Sequence, residues 1–179
     1  VSICEGENVV LTVDDAYASY LWSNGATTRS ITVAQGGSYS VTVTDGFGCS
    51  NTSAPIVVTV NPNPTPVIAV SGSLSFCEGG SVRLDAGAGF AAYLWSNGAT
   101  TRSITVSQAG SYTCMVTTAA GCSGTTPART VVVHPRPTPT ITAVGSDVFC
   151  EGDSVTLDAG GGYQGYLWSN GRRTRTITV

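Results

Sequence analysis

Lysine is absent from these 179 residues, and all eight basic residues are arginine. Without lysine, no Lys–Asn isopeptide cross-link, one way of stapling surface fibres, can form within the sequence. Histidine occurs once, as His134, and methionine once, as Met115. Charged residues make up only 11% and the net charge is −3, so the basic face that nucleic acid requires is missing. No apolar run approaches the roughly 18 residues of a transmembrane helix, so no membrane insertion by a helix is expected. No segment shows a sustained helical period. Cys-x-x-Cys pairs are lacking, and a single histidine cannot complete a usual zinc set. There is no nucleophile–base pair, phosphate-binding loop or metal cluster. The chain therefore reads as non-enzymatic, with no catalytic residue, metal or cofactor.

What is present is a repeat. Cys4, Cys77 and Cys150 each open a Cys-Glu-Gly triplet, with a constant step of 73 residues. Trp22, Trp95 and Trp168 keep that step, as do Cys49 and Cys122. Tyr-Leu-Trp-Ser-Asn-Gly begins at Tyr20, Tyr93 and Tyr166. Such a period is too long for a solenoid turn and long enough for a small domain with its own core. Six cysteines in a Gly-, Ser- and Thr-rich chain point to an oxidising compartment.

Each unit reads as strands. In Val82-Arg83-Leu84-Asp85-Ala86 the apolar residues alternate with residues that belong in water. Tyr20-Leu21-Trp22 ends at the turn former Asn24-Gly25. Ser30 to Val33, Ser38 to Val43 and Ile56 to Val60 supply further strands. Short strands with polar turns suggest an all-β, two-sheet sandwich of the immunoglobulin type. Tyr39 and Tyr112 are then expected to form tyrosine corners, hydrogen-bonding back to nearby backbone.

Asn61-Pro62-Asn63-Pro64-Thr65-Pro66 and His134-Pro135-Arg136-Pro137-Thr138-Pro139 read as semi-rigid polyproline spacers. The expected units are 1–61, without its leading strand, 64–136, complete, and 137–179, without its last two strands. The window resembles a piece of a longer array. Trp168 and Ile177 of the third unit should lack the strands that cover them.

The pattern Cys77-x-Gly79-x-x-Val82-x-Leu84, then Tyr93-x-Trp95-Ser96-Asn97-Gly98, Ser103-Ile104-x-Val106, Gly110-x-Tyr112 and Gly121-Cys122 carries a resemblance. It is similar to the tandem immunoglobulin-like, PKD-related repeats of secreted and surface proteins of Bacteroidota and their relatives. Trp-Ser-Asn-Gly stands where PKD domains usually carry Trp-x-Phe-Gly-Asp-Gly. The resemblance implies an extracellular or cell-surface location and a type IX secretion context, in adhesins, filaments or the stalks of secreted hydrolases.

Six cysteines allow fifteen pairings. The recurrence of Cys4 and Cys49 as Cys77 and Cys122 suggests Cys4–Cys49 and Cys77–Cys122 disulfides within units. Cys114 replaces Val41 of the first unit and should be a buried free thiol; Cys150 is left free or externally paired. The tryptophans read as core. Tyr17, Phe90 and Tyr163, at one repeat position in the loop before the Trp strand, are the better candidates for ligand contact. Asp14-Asp15 reads as a solvated turn rather than a calcium site, because the later units carry glycine or alanine there. His134 reads as a linker residue. Arg172, Arg173 and Arg175 read as solvated turn charge rather than a basic patch for an acidic neighbour or an anionic glycan. Asp153-Ser154-Val155 fits a short O-glycosylation pattern at Ser154.

The expected function is a structural or adhesive segment of an extracellular bacterial surface fibre, filament or stalk. The alternative is a set of carbohydrate-binding accessory modules of a secreted hydrolase. Its partners would be neighbouring copies or a continuation of the array, or a surface glycan or substratum.

Overall fold

The computed structural model describes residues 1–179 except 147 and 149. Among the described residues every regular element is a strand. Eight lie in the first repeat: β1 (Ser2–Cys4), β2 (Val9–Thr12), β3 (Ser19–Trp22), β4 (Ser30–Val33), β5 (Gly37–Tyr39), β6 (Val41–Thr44), β7 (Ser50–Thr52) and β8 (Ile56–Asn61). Nine lie in the second: β9 (Ala69–Ser71), β10 (Ser75–Cys77), β11 (Val82–Asp85), β12 (Ala92–Trp95), β13 (Ser103–Val106), β14 (Gly110–Tyr112), β15 (Cys114–Thr117), β16 (Ser123–Thr125) and β17 (Arg129–His134). The third has β18 (Thr142–Val144), β19 (Thr156–Asp158) and β20 (Thr176–Thr178). The chain divides into two compact units, Val1–His134 and Pro135–Val179. The first contains two hydrophobic cores, one drawn from residues 3–60 and one from residues 68–133.

The second repeat shows the whole plan. One sheet has the order β9–β11–β13, all antiparallel. The facing layer pairs β12 with β15 and β15 with β16, then β14 with β17, and closes with β10 running parallel to β17. The registers Tyr112↔Arg129 and Met115↔Thr125 differ by one residue, which marks a bulge. Pro127 lies within it, where a missing N–H costs no ladder bond. Thr126, beside it, is buried, and its hydroxyl accepts the Cys114 N–H at 3.0 Å. The result is an immunoglobulin-like β-sandwich.

Alternation decides what the sandwich encloses. Val82 and Leu84 of β11 and Ile104 and Val106 of β13 point inward. They meet Trp95, Cys114, Val116 and Val131 from the other layer. Leu94 and Met115, the alternate residues, stay exposed. Burying each of the larger aliphatic side chains contributes about 1.5–3 kcal/mol. The tyrosine corners form as expected. Tyr112 Oη donates to the Gln108 carbonyl at 3.0 Å, and Tyr39 Oη to the Gln35 carbonyl at 3.1 Å.

The first repeat follows the same plan, with β1 parallel to β8 and a facing sheet of only β2 and β4. The counterpart of β9 has no residues among 1–179. Among the described residues of the third repeat only the β18–β19–β20 sheet forms, the counterpart of β9–β11–β13. Tyr166-Leu167-Trp168 is not a strand there. Its pairing strand, β6 in the first repeat and β15 in the second, has no counterpart among these residues. Leu167 is 74% exposed and Trp168 is only partly buried.

Candidate functional site: the junction between repeats

Among the described residues one disulfide forms, and it joins two repeats. Cys4 bonds to Cys122 across 118 residues of sequence, with Cα atoms 5.5 Å apart. The expected Cys4–Cys49 and Cys77–Cys122 pairs do not form: Cys49 and Cys77 are free and exposed. The strand order gives the reason. β1 runs parallel to β8, placing Cys4 opposite Asn61 at the far end of that strand. Cys49 lies in the hairpin before β7, at the start of the same stretch. About a dozen extended residues, roughly 35 Å, separate the two ends. A disulfide requires Cα atoms within about 7 Å. A pairing inside one repeat would have to span the sandwich; a pairing with the next repeat spans only the junction.

The residues around the bond hold the junction in place. Glu5 N–H donates to the Asn61 carbonyl at 2.8 Å, and Glu7 Oε2 accepts the Cys4 N–H at 2.9 Å. The Asn61 amide donates to Ser2 Oγ at 2.6 Å and to the Ile3 carbonyl at 3.2 Å. Asn63 donates to the Glu5 carbonyl at 2.9 Å. The linker then crosses the second repeat's hairpin at Gly124. A Cβ on Gly124 would lie 1.9 Å from the Pro64 carbonyl oxygen, so only glycine fits under the chain. Cys122 Sγ lies 3.9 Å from the Asn61 carbonyl oxygen, and Cys122 is 1% exposed.

The end of the second repeat reproduces the first half of this arrangement. Cys77 stands opposite His134 in the parallel pairing of β10 and β17, as Cys4 stands opposite Asn61. Glu78 N–H donates to the His134 carbonyl at 2.9 Å. His134 Nε2 lies 2.9 Å from Ser75 Oγ, repeating the Asn61–Ser2 contact. His134 thus ends a strand, in the position where the first repeat has asparagine.

The remaining candidates are dispersed. Cys114 is fully buried against the core, a free thiol opposite Trp95 on the paired strand, and burial pushes its thiol pKa up. Cys150 is free and exposed. Tyr17, Phe90 and Tyr163 each meet the tyrosine three residues on, edge to face, with centroids 6.3, 6.0 and 6.0 Å apart. Each is half-buried by that packing. Ser154 is exposed just before β19. Asp14 and Asp15 are exposed, and the carbonyl of Asp14 accepts a hydrogen bond from Arg29. Arg172 and Arg173 are exposed, whereas Arg175 pairs with Asp158 at 2.8 Å. Among the described residues no group of three or more His, Cys, Asp or Glu could hold a metal.

Sequence reading did not identify the Asp–Arg pair beneath the loop. Asp85 accepts from Arg102 at 2.9 Å and from Gly87 N–H at 2.8 Å. Asp158 does the same with Arg175 and Gly160. The Gly87 hydrogen bond and then Arg102 hold the Asp85 carboxyl below the usual range; for Asp158, Arg175 leads. Gly87 and Gly160 have φ of 87° and 79°, a backbone that side chains rarely adopt. The signal was present in the recurring Leu-Asp-Ala-Gly string.

A cavity of about 480 Å³ in the third repeat is lined by Pro137, Ile141, Tyr163, Tyr166 and Trp168, among others. It lies where that repeat has only one sheet, along the segment that would form the facing layer.

No family model matches the chain, and no curated protein matches it. Solved structures do. A marsupial T cell receptor is 15% identical with a TM-score of 0.45, covering 88% of this chain and 77% of its own. Fibronectin(III)-like modules of Clostridium thermocellum CbhA are 12% identical with a TM-score of 0.40, covering 75% and 88%. Murine CEACAM1b is 14% identical with a TM-score of 0.38, covering 74% and 96%.

Proposed function

We propose that this chain is a structural spacer, a run of immunoglobulin-like repeats in an extracellular fibre or stalk at a bacterial cell surface. The observation that carries the reading is the Cys4–Cys122 bond. It ties the end of one repeat to the hairpin of the next beside the proline linker, so tension crosses the junction by two covalent routes. A spacer needs that continuity; a free-standing binding domain does not. The bond also requires an oxidising compartment. The resemblance of the repeat motifs to bacterial surface proteins supports the location. An adhesive role would use the exposed faces and loops that the junction leaves uncovered.

Two measurements test the reading. Thiol trapping with surface proteolysis, on cells that make the chain, should find it outside the cell with Cys4 and Cys122 oxidised. An intracellular protein with both thiols free would sink the proposal. In single-molecule stretching, the bond should hide roughly 40 nm of contour, from about 118 residues at ~3.6 Å each. Dithiothreitol should release it. Full extension without reductant would show that the junction carries no second covalent route.

A further inference from the structure

We propose that Cys77 is the receiving half of a second clamp, bonding to the hairpin cysteine of a repeat unit stacked after it. The inference rests on the array reading and adds a partner and a rule of connection. The rule is that each Cys-Glu-Gly cysteine pairs with the Gly-Cys hairpin of the next unit, 118 residues on. Cys4–Cys122 is the instance in view. Counted from Cys77, the same step passes Val179.

Both halves of such a clamp stand ready-made. Cys77 occupies the Cys4 position, with the same strand register and the same backbone bond one residue on. Cys4 is partly covered by its partner repeat, whereas Cys77 is exposed. The hairpins match as well. Cys122 accepts from Thr118 N–H at 2.8 Å, and Cys49 from Asp45 N–H at 2.9 Å. Gly121 and Gly48 take φ of 87° and 85°. Cys122 is buried under the preceding repeat; Cys49, of the same build, is exposed. Identical local structure with opposite exposure indicates that a neighbouring unit, rather than the repeat itself, covers these thiols. The step is oxidative and needs a disulfide oxidant such as oxidised glutathione. The Cys77 thiolate attacks it, forming a mixed disulfide and releasing one thiolate. The partner's cysteine thiolate then attacks Cys77 Sγ and releases the second. Two protons are lost and two electrons pass to the oxidant.

The hairpin that fits is further specified. The linker crosses the residue two places after the hairpin cysteine, which is Gly124. The first repeat has Asn51 there, so the partner sought is Gly-Cys-x-Gly rather than Gly-Cys-x-Asn.

The test is a disulfide map of the protein as isolated from its producing cells, alkylated before any reduction. The Cys77 peptide should be recovered bonded to a peptide carrying a Gly-Cys hairpin from a following unit. Unchanged mass on non-reducing gels would place that unit in the same polypeptide. A disulfide-linked dimer, lost in Cys77→Ser, would overturn the inference, because the free hairpin cysteine of a second copy is Cys49, followed by Asn51 rather than glycine. Recovery of Cys77 as an alkylated free thiol would overturn the proposal, as would a bond to Cys49, Cys114 or Cys150 of its own chain. If Cys4–Cys122 is intact in that sample, only this inference fails; if it too is reduced, the array reading fails with it.

Discussion

The hexapeptide Tyr-Leu-Trp-Ser-Asn-Gly has one structure at Tyr93 and another at Tyr166. At both sites the turn is made. Trp95 N–H donates to the Ala99 carbonyl at 2.8 Å, and Trp168 N–H to the Arg172 carbonyl at 2.8 Å. At both, the indole N–H reaches a carbonyl six residues on, at 2.8 and 2.7 Å. Yet Ala92–Trp95 is a strand with its tryptophan 2% exposed, while the same letters in the third repeat form no strand. The turn needs only its own residues. The strand needs a partner ladder, which β15 supplies in the second repeat and no described residue supplies in the third.

Removing the tryptophans breaks the comparison most directly. Trp95→Ala should cost about 3–5 kcal/mol, the usual range for emptying a packed aromatic site. Trp168→Ala should cost under ~1 kcal/mol, in the range of surface changes. Denaturant unfolding followed by the remaining tryptophans would show this, and equal losses at both sites would contradict the account of the third repeat.

The clamp comes next. Cys4→Ser should destabilise the first two repeats by about 2–4 kcal/mol, the typical worth of a disulfide. Cys49→Ser should be nearly neutral in the same melt. A large loss from Cys49→Ser alone would restore the pairing that the strand order excludes.

Gly124→Asn tests the linker path by giving the second repeat the residue the first has at position 51. A side chain under Pro64 should cost about 1–3 kcal/mol, as overpacking does, and slow formation of the Cys4–Cys122 bond. Oxidation kinetics followed by thiol trapping would read it out. Removing one hydroxyl is smaller again. Tyr112→Phe should cost about 0.5–1.5 kcal/mol for the lost corner hydrogen bond, and Tyr39→Phe a similar amount, since both corners have the same geometry.

The smallest effect is on pH. Asp85 and Asp158 have folded pKa values below the ordinary 3.8. Their contribution is therefore complete above pH 3.8 and fades as the pH falls from there toward the lower folded value. Asp85→Asn should flatten the acid side of the thermal midpoint against pH in the second repeat. Asp158→Asn should do so less visibly, because less structure depends on that sheet. An unchanged acid limb in Asp85→Asn would show that the Arg102 and Gly87 contacts do not hold the carboxyl down.

Much of this molecule could be read from its residues. The period of 73 gave the recurrence of strands such as Val9–Thr12 and Val82–Asp85, the alternation in Val82–Ala86 gave the buried face, and the spacing of Tyr112 gave the corner. The disulfide could not be read the same way. A bond that repeats every 73 residues can join cysteines within a unit or between adjacent units, and both patterns have the same translational symmetry. Choosing between them requires knowing that β1 is parallel to β8, which puts Cys4 and Cys49 at opposite ends of one sandwich. The Asp–Arg pairs were hidden for a similar reason. Asp85 ends β11 and Arg102 lies just before β13, and only the pairing of those two strands brings them together.

The sequence by itself determined the turns and the buried faces, because these depend on neighbours a few residues apart. Tertiary structure decided which cysteines meet, whether Tyr166-Leu167-Trp168 becomes a strand, and why position 124 must be glycine. Each of these depends on a second segment, well beyond the local turn, whose position is fixed only when the sheets assemble.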